Sequence, residues 1–199
     1  MRIRFWLMTL TVLAALLAVP VSGQEATPTV AVPDPALCTL NPLTPADLQR
    51  IEDAELGPFP TTTPITGNIT LPDGEELFSS EREEVEKDLI RAIACVNTGE
   101  PLKALAAYTD TWIAAFLLQQ GGLDDELIAG LQVDRSLQPE NYLQIQFFGD
   151  AARLGDGRVA IVVVGEDPTD GAGPRPRLFI MSEVKPGRFL IDEVVPIEV

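Results

Sequence analysis

The sequence runs to 199 residues and carries 14 basic against 30 acidic side chains, two cysteines and no histidine. A net charge of −16 repels phosphate backbones and anionic surfaces, which argues against nucleic-acid binding. The missing histidine removes Ser–His and Cys–His nucleophile pairs, histidine bases and the ordinary zinc ligand sets.

Residues 1–23 have the form of a secretory signal. Arg2 and Arg4 are followed by an apolar run from Phe5 to Val19, and Val21-Ser22-Gly23 suits cleavage before Gln24. Pro20 ends the run before it reaches the roughly 20 residues of a membrane span, and no later stretch is long and apolar enough. The expected mature protein is therefore secreted or extracytoplasmic in the cell envelope, with no membrane insertion after cleavage; retention of the leader as an anchor is the alternative. Loss of Arg2 and Arg4 leaves 12 basic residues against 30 acidic ones, a charge of −18. In an oxidising compartment Cys38 and Cys95 are expected to form a disulfide.

Residues 24–79 read as a Pro- and Thr-rich extension. Pro28, Pro33, Pro35 and Pro42 give it an extended start, and Thr44-Pro45-Ala46-Asp47 opens a short helix at about 45–54 with Leu48 and Ile51 on its apolar edge. Residues 57–78 hold four more prolines and five threonines. They are expected to form a surface strap anchored by Phe59, Ile65, Leu71 and Phe78.

A folded domain is expected over 80–199. Ser80 and Glu83 form a capping-box pattern before a long helix with Val85, Leu89, Ala92, Ile93 and Val96 at helical spacing, Glu83 and Lys87 as an i,i+4 pair, and Gly99 at its end. Pro101 opens a second helix. Asp110 is expected to cap a third, with Trp112, Ile113, Phe116 and Leu117 on its apolar side, and Asp124 a fourth through Leu131. After Pro139 the apolar period changes from 3.6 to 2. Leu143, Ile145 and Phe147 alternate with glutamines, Gly155-Asp156-Gly157 turns into an all-apolar strand, Leu178–Met181 follows, and a Pro-Gly turn leads to a last strand at 189–195. Helices first and an antiparallel meander second define an α+β class.

That order, with Ala94-Cys95-Val96-Asn97-Thr98-Gly99-Glu100-Pro101, Leu105 and Tyr108-Thr109-Asp110 at one end and Gly187-Arg188-Phe189-Leu190-Ile191-Asp192-Glu193 at the other, resembles the nuclear transport factor 2-like (SnoaL-like) superfamily over about residues 80–195. The resemblance implies a cone: a curved antiparallel or mixed sheet packed under a long helix and short helices, with a ligand pocket at the open end. Tyr108, Trp112, Phe116, Tyr142 and Phe147, with Phe148, are the candidates to line such a pocket for a small apolar ligand; the same aromatics serve equally well as core.

Catalysis of the superfamily's kind needs a buried carboxylate beside a tyrosine. Asp110, Asp192 and Glu193 with Tyr108 or Tyr142 are the available groups, although Asp110 is already used as a cap and alternation puts Asp192 and Glu193 on opposite faces. Ser182-Glu-Val-Lys185 matches S-x-x-K only formally, since it lies in a strand. Asp167-Pro-Thr-Asp170 lacks the ligand spacing of a calcium loop, so no metal and no cofactor is expected. Three functions follow: a non-catalytic binding or sensory domain; an isomerase, cyclase or hydratase; and a structural homodimer paired through its sheet.

Overall fold

The computed structural model describes residues 31–54, 65–66, 71 and 74–198. The signal segment and Phe59 lie outside them. Helices α1 (Pro45–Glu52), α2 (Ser79–Asn97), α3 (Pro101–Leu105), α4 (Asp110–Gln120) and α5 (Asp125–Leu131) precede the long strands β3 (Gln144–Leu154), β4 (Val159–Glu166), β5 (Arg175–Lys185) and β6 (Arg188–Glu198). Two short strands, β1 (Ile65–Thr66) and β2 (Gly74–Glu76), come before α2. The sheet order is β1-β6-β5-β4-β3-β2. Five strands are antiparallel, and β1 joins β6 in parallel at one edge, leaving a curved sheet that does not close. The class is α+β, as the change of period predicts.

The central strand explains the layering. Val159 to Val163 are all buried, so β4 is apolar on both faces. Val159, Ile161 and Val163 join Phe179, Met181 and Ile191 in a core with Val85, Leu89 and Ala92 of α2. Ala160 and Val162 face the other way, with Leu178, Ile180, Val195, Ile197 and Leu71. A third cluster joins Leu48 and Ile51 of α1 to Ile113, Ala114 and Leu117 of α4. Each such aliphatic side chain contributes roughly 1.5–3 kcal/mol on burial. Helix α1 thus packs on the helices that follow it in the chain.

Several local expectations hold. Thr44 and Asp47 form the reciprocal capping box, Asp124 accepts the Leu127 N–H at 2.7 Å, and Gly99 takes a positive φ of 75° after α2. A Cβ at Gly99 would lie 2.3 Å from the Arg135 carbonyl oxygen, so only glycine fits. The disulfide between Cys38 and Cys95 is present.

Other expectations are corrected. Helix α2 starts at Ser79 with Phe78 at the N-cap and no side-chain cap, so the Ser80–Glu83 box does not form. Phe78 is 80% exposed and anchors nothing. Lys87 pairs with Glu84 at 3.8 Å rather than with Glu83. The cap of α4 is Thr109, whose hydroxyl accepts the Trp112 N–H, and Asp110 becomes the first helical residue. In β3, irregular pairing between Ile145 and Phe147 breaks the alternation: Ile145 is buried, Phe147 is 48% exposed, and Phe148 packs on the core instead.

Candidate functional site

The joint between helices and sheet sits at the α3–α4 connection. Ile191 of β6 donates its N–H to the Ala107 carbonyl, and Thr109 donates its own N–H to the Ile191 carbonyl, both at 2.9 Å. Tyr108 is held between them as an isolated parallel bridge partner of Ile191. The register is irregular here: Ile180 faces Glu193 and Met181 faces Ile191, which leaves Asp192 as the extra residue of a bulge. That bulge turns Asp192 towards the start of α4. Its carboxylate accepts from the Thr109 hydroxyl at 2.7 Å and from the Arg158 guanidinium at 2.8 Å, while Arg158 also bonds Asp156 at 2.9 Å. The Arg158 backbone N–H, then its side chain, hold the Asp156 carboxyl below its usual range.

The predicted aromatics separate into two groups. Tyr108, Trp112 and Phe116 stack in sequence, with ring centroids 4.0 Å and 5.8 Å apart. All three are half-buried, and Tyr108 touches both the sheet core and the helical core. Burial raises its phenol pKa, with Arg177 acting weakly in the opposite direction. Tyr142 ends a 3-10 turn at Pro139–Asn141, and Phe147 lies on the exposed side of β3; neither enters the stack among the described residues.

The candidate acids are dispersed as well. Asp110 is half-exposed and pairs with Arg50 of α1 at 3.0 Å. Glu193 is only 8% exposed, and its register with Ile180 puts it on the outer aliphatic face, across the sheet from Tyr108. Desolvation raises its pKa, opposed by Arg158 and supported by Asp192. No hydrogen bond joins a tyrosine hydroxyl to any of these carboxylates among the described residues. No cluster of metal-ligating side chains gathers among them either; Asp167 is occupied by the backbone and hydroxyl of Thr169.

Two polar residues given no role of their own at the sequence level organise the helix–sheet contact. Asn97 is buried, donates to the carbonyls of Pro33 (2.9 Å) and Leu143 (3.2 Å), and accepts the Leu143 N–H at 2.8 Å. Asp88 is buried, accepts the Phe189 N–H at 2.7 Å, and pairs with Arg91. Both sit on the apolar stripe of α2, three or four residues from Val85, Ala92 and Ile93, and a polar residue on such a stripe is the signal that could have found them.

Two cavities lie along the exposed side of α2. One cavity of about 720 Å³ is lined by Leu71, Glu76, Leu77, Arg82, Glu83 and Asp150 among others. A second, of about 420 Å³ and mostly apolar, lies between Ala36, Leu37 and Thr39 and the α2 residues Glu83, Glu86, Lys87, Ile90 and Arg91. Glu83 and Glu86 line both, so the two are neighbours along one helix face. The disulfide fixes the wall made by residues 36–39. No family model matches the chain, and no curated protein or solved structure was found similar to it.

Proposed function

We propose that this chain is an exported domain of the nuclear transport factor 2-like cone type, and that it binds or senses at the cell envelope rather than catalysing. The observation that carries the reading is the fate of the candidate acids. Asp110 and Asp192 are held by cationic partners, and Glu193 lies across the sheet from Tyr108. A steroid-isomerase-like mechanism needs an acid and a tyrosine converging on one substrate carbon and oxygen. The disulfide supports an oxidising compartment, and no described helix is long and apolar enough to cross a membrane.

The test uses protein secreted from the full-length gene. N-terminal sequencing is expected to begin at Gln24. Incubation with a β,γ-unsaturated ketone is expected to give no isomerisation above buffer. Isomerisation that disappears in Tyr108→Phe would assign the chain to catalysis instead.

A further inference from the structure

The neighbouring cavities along α2 differ in character. Beside β2 and the β3 bulge the walls carry Glu76, Glu83 and Asp150, which enter no ion pair among the described residues. The only guanidinium lining that end, Arg82, is committed to Glu86 at 2.7 Å and to the Gly149 carbonyl at 2.8 Å. Towards the C-terminal half of α2 the lining turns aliphatic, with Ala36, Leu37 and Ile90. The cations there, Lys87 and Arg91, are paired with Glu84 and Asp88. One large apolar side chain of these walls stands exposed, Leu37 at 51%. An aliphatic side chain left exposed on an apolar cavity wall is the kind of surface that a bound partner buries.

We infer that this groove is a docking surface for an extended segment of a partner polypeptide that presents aliphatic side chains to Leu37 and Ile90, and lysines or arginines to Glu76, Glu83 and Asp150. Charge complementarity selects the partner: the acidic end has no free cation among the described residues, and a chain of net charge −16 attracts basic segments over distance. Two neighbouring open cavities along one helix suit a peptide laid along it better than an enclosed small molecule. This inference rests on the reading of the chain as a binding domain, but the two fail separately, because turnover of a ketone says nothing about peptide binding at α2.

The experiment titrates the secreted, oxidised protein with short synthetic peptides of alternating Lys and Leu, alternating Glu and Leu, and alternating Lys and Ser, followed by backbone amide NMR. The Lys–Leu peptide is expected to bind and to shift resonances along the exposed side of α2 and at 36–39. The other two are expected to bind at least about tenfold more weakly. Leu37→Ser should weaken the Lys–Leu peptide about tenfold, and the site is exposed, so the fold is retained. Removing the acids with Glu76→Gln, Glu83→Gln and Asp150→Asn should cost about tenfold, whereas Asp125→Asn, Asp134→Asn and Glu140→Gln should change little. Equal losses from the two acid sets, equal binding of the Glu–Leu peptide, no effect of the Leu37 change, or no binding of the Lys–Leu peptide would each overturn the inference. So would a concentration-dependent dimer abolished by Leu37→Ser, which would assign the groove to a second copy.

Discussion

The disulfide offers the sharpest quantitative test of how this chain is held together. Cys38 and Cys95 are 57 residues apart, and the bond closes a loop that contains α1, β1, β2 and most of α2. On the chain-entropy model, closing a loop of that length stabilises the folded state by about 4 kcal/mol relative to the open unfolded chain. The replacement Cys38→Ala with Cys95→Ala removes that constraint. With a urea m-value of about 2 kcal/mol/M, the unfolding midpoint should fall by about 2 M. The structure adds a local signature. Ala31 and Ile145 exchange both backbone hydrogen bonds at 2.8 Å, while Asn97 of α2 holds the Pro33 carbonyl, so residues 31–38 meet the sheet at Ala31 and are tied to α2 by the disulfide. Amide exchange at Ala31 and Ile145 should therefore quicken more than exchange in β4 and β5. A midpoint loss equivalent to less than about 1 kcal/mol, with Ala31 and Ile145 still as protected as β4, would refute the reasoning.

Four further outcomes are expected. Glu193 has a folded-state pKa above its unfolded one, so its protonated form stabilises the fold below the unfolded value, and that stability is lost as pH rises through the folded value. Glu193→Gln should accordingly raise the melting temperature relative to wild type at pH 7 and lose the advantage at pH 4; a pH-independent difference between the two would contradict this. Gly99→Ala forces a side chain into left-handed backbone and against the Arg135 carbonyl, and should destabilise by about 2 kcal/mol in urea unfolding. Asn97→Ala orphans the Leu143 N–H and should cost about 2–3 kcal/mol by the same assay, with NMR shifts centred on residues 33 and 143. Leu48→Ala empties a fully buried site between α1 and α4 and should cost about 3 kcal/mol, more than any exposed substitution on α1.

What could be read from the residues alone follows how local each signal is. The change from helical to alternating spacing is carried by tens of residues, so the α+β order is legible, as are caps such as Asp124 whose partner lies three residues away. The choice of Thr109 over Asp110 as a cap was not legible. Both side chains are competent, and the decision comes from β6, where Asp192 and the Ile191 carbonyl engage Thr109. The irregular pairing in β3 reverses Phe147 and Phe148, and only Gly149 hints at irregular backbone there. Strands β1 and β2, at two and three residues, are too short to carry any period. The acids failed to assemble for the same reason as the cap: Asp110 is drawn to Arg50, sixty residues away, by the packing of α1 on α4.

The bond from Cys38 to the last turns of α2 also decides where a pull on the N-terminal segment would be felt. Tension applied before Cys38 would pass through covalent sulfur straight into the helix beneath the sheet. The stretch from residue 39 to 94, with α1 and both short strands, would be bypassed. A domain tugged from that side would yield by shearing α2 from the sheet, while the face carrying Leu37 and Ile90 stayed joined as one rigid piece.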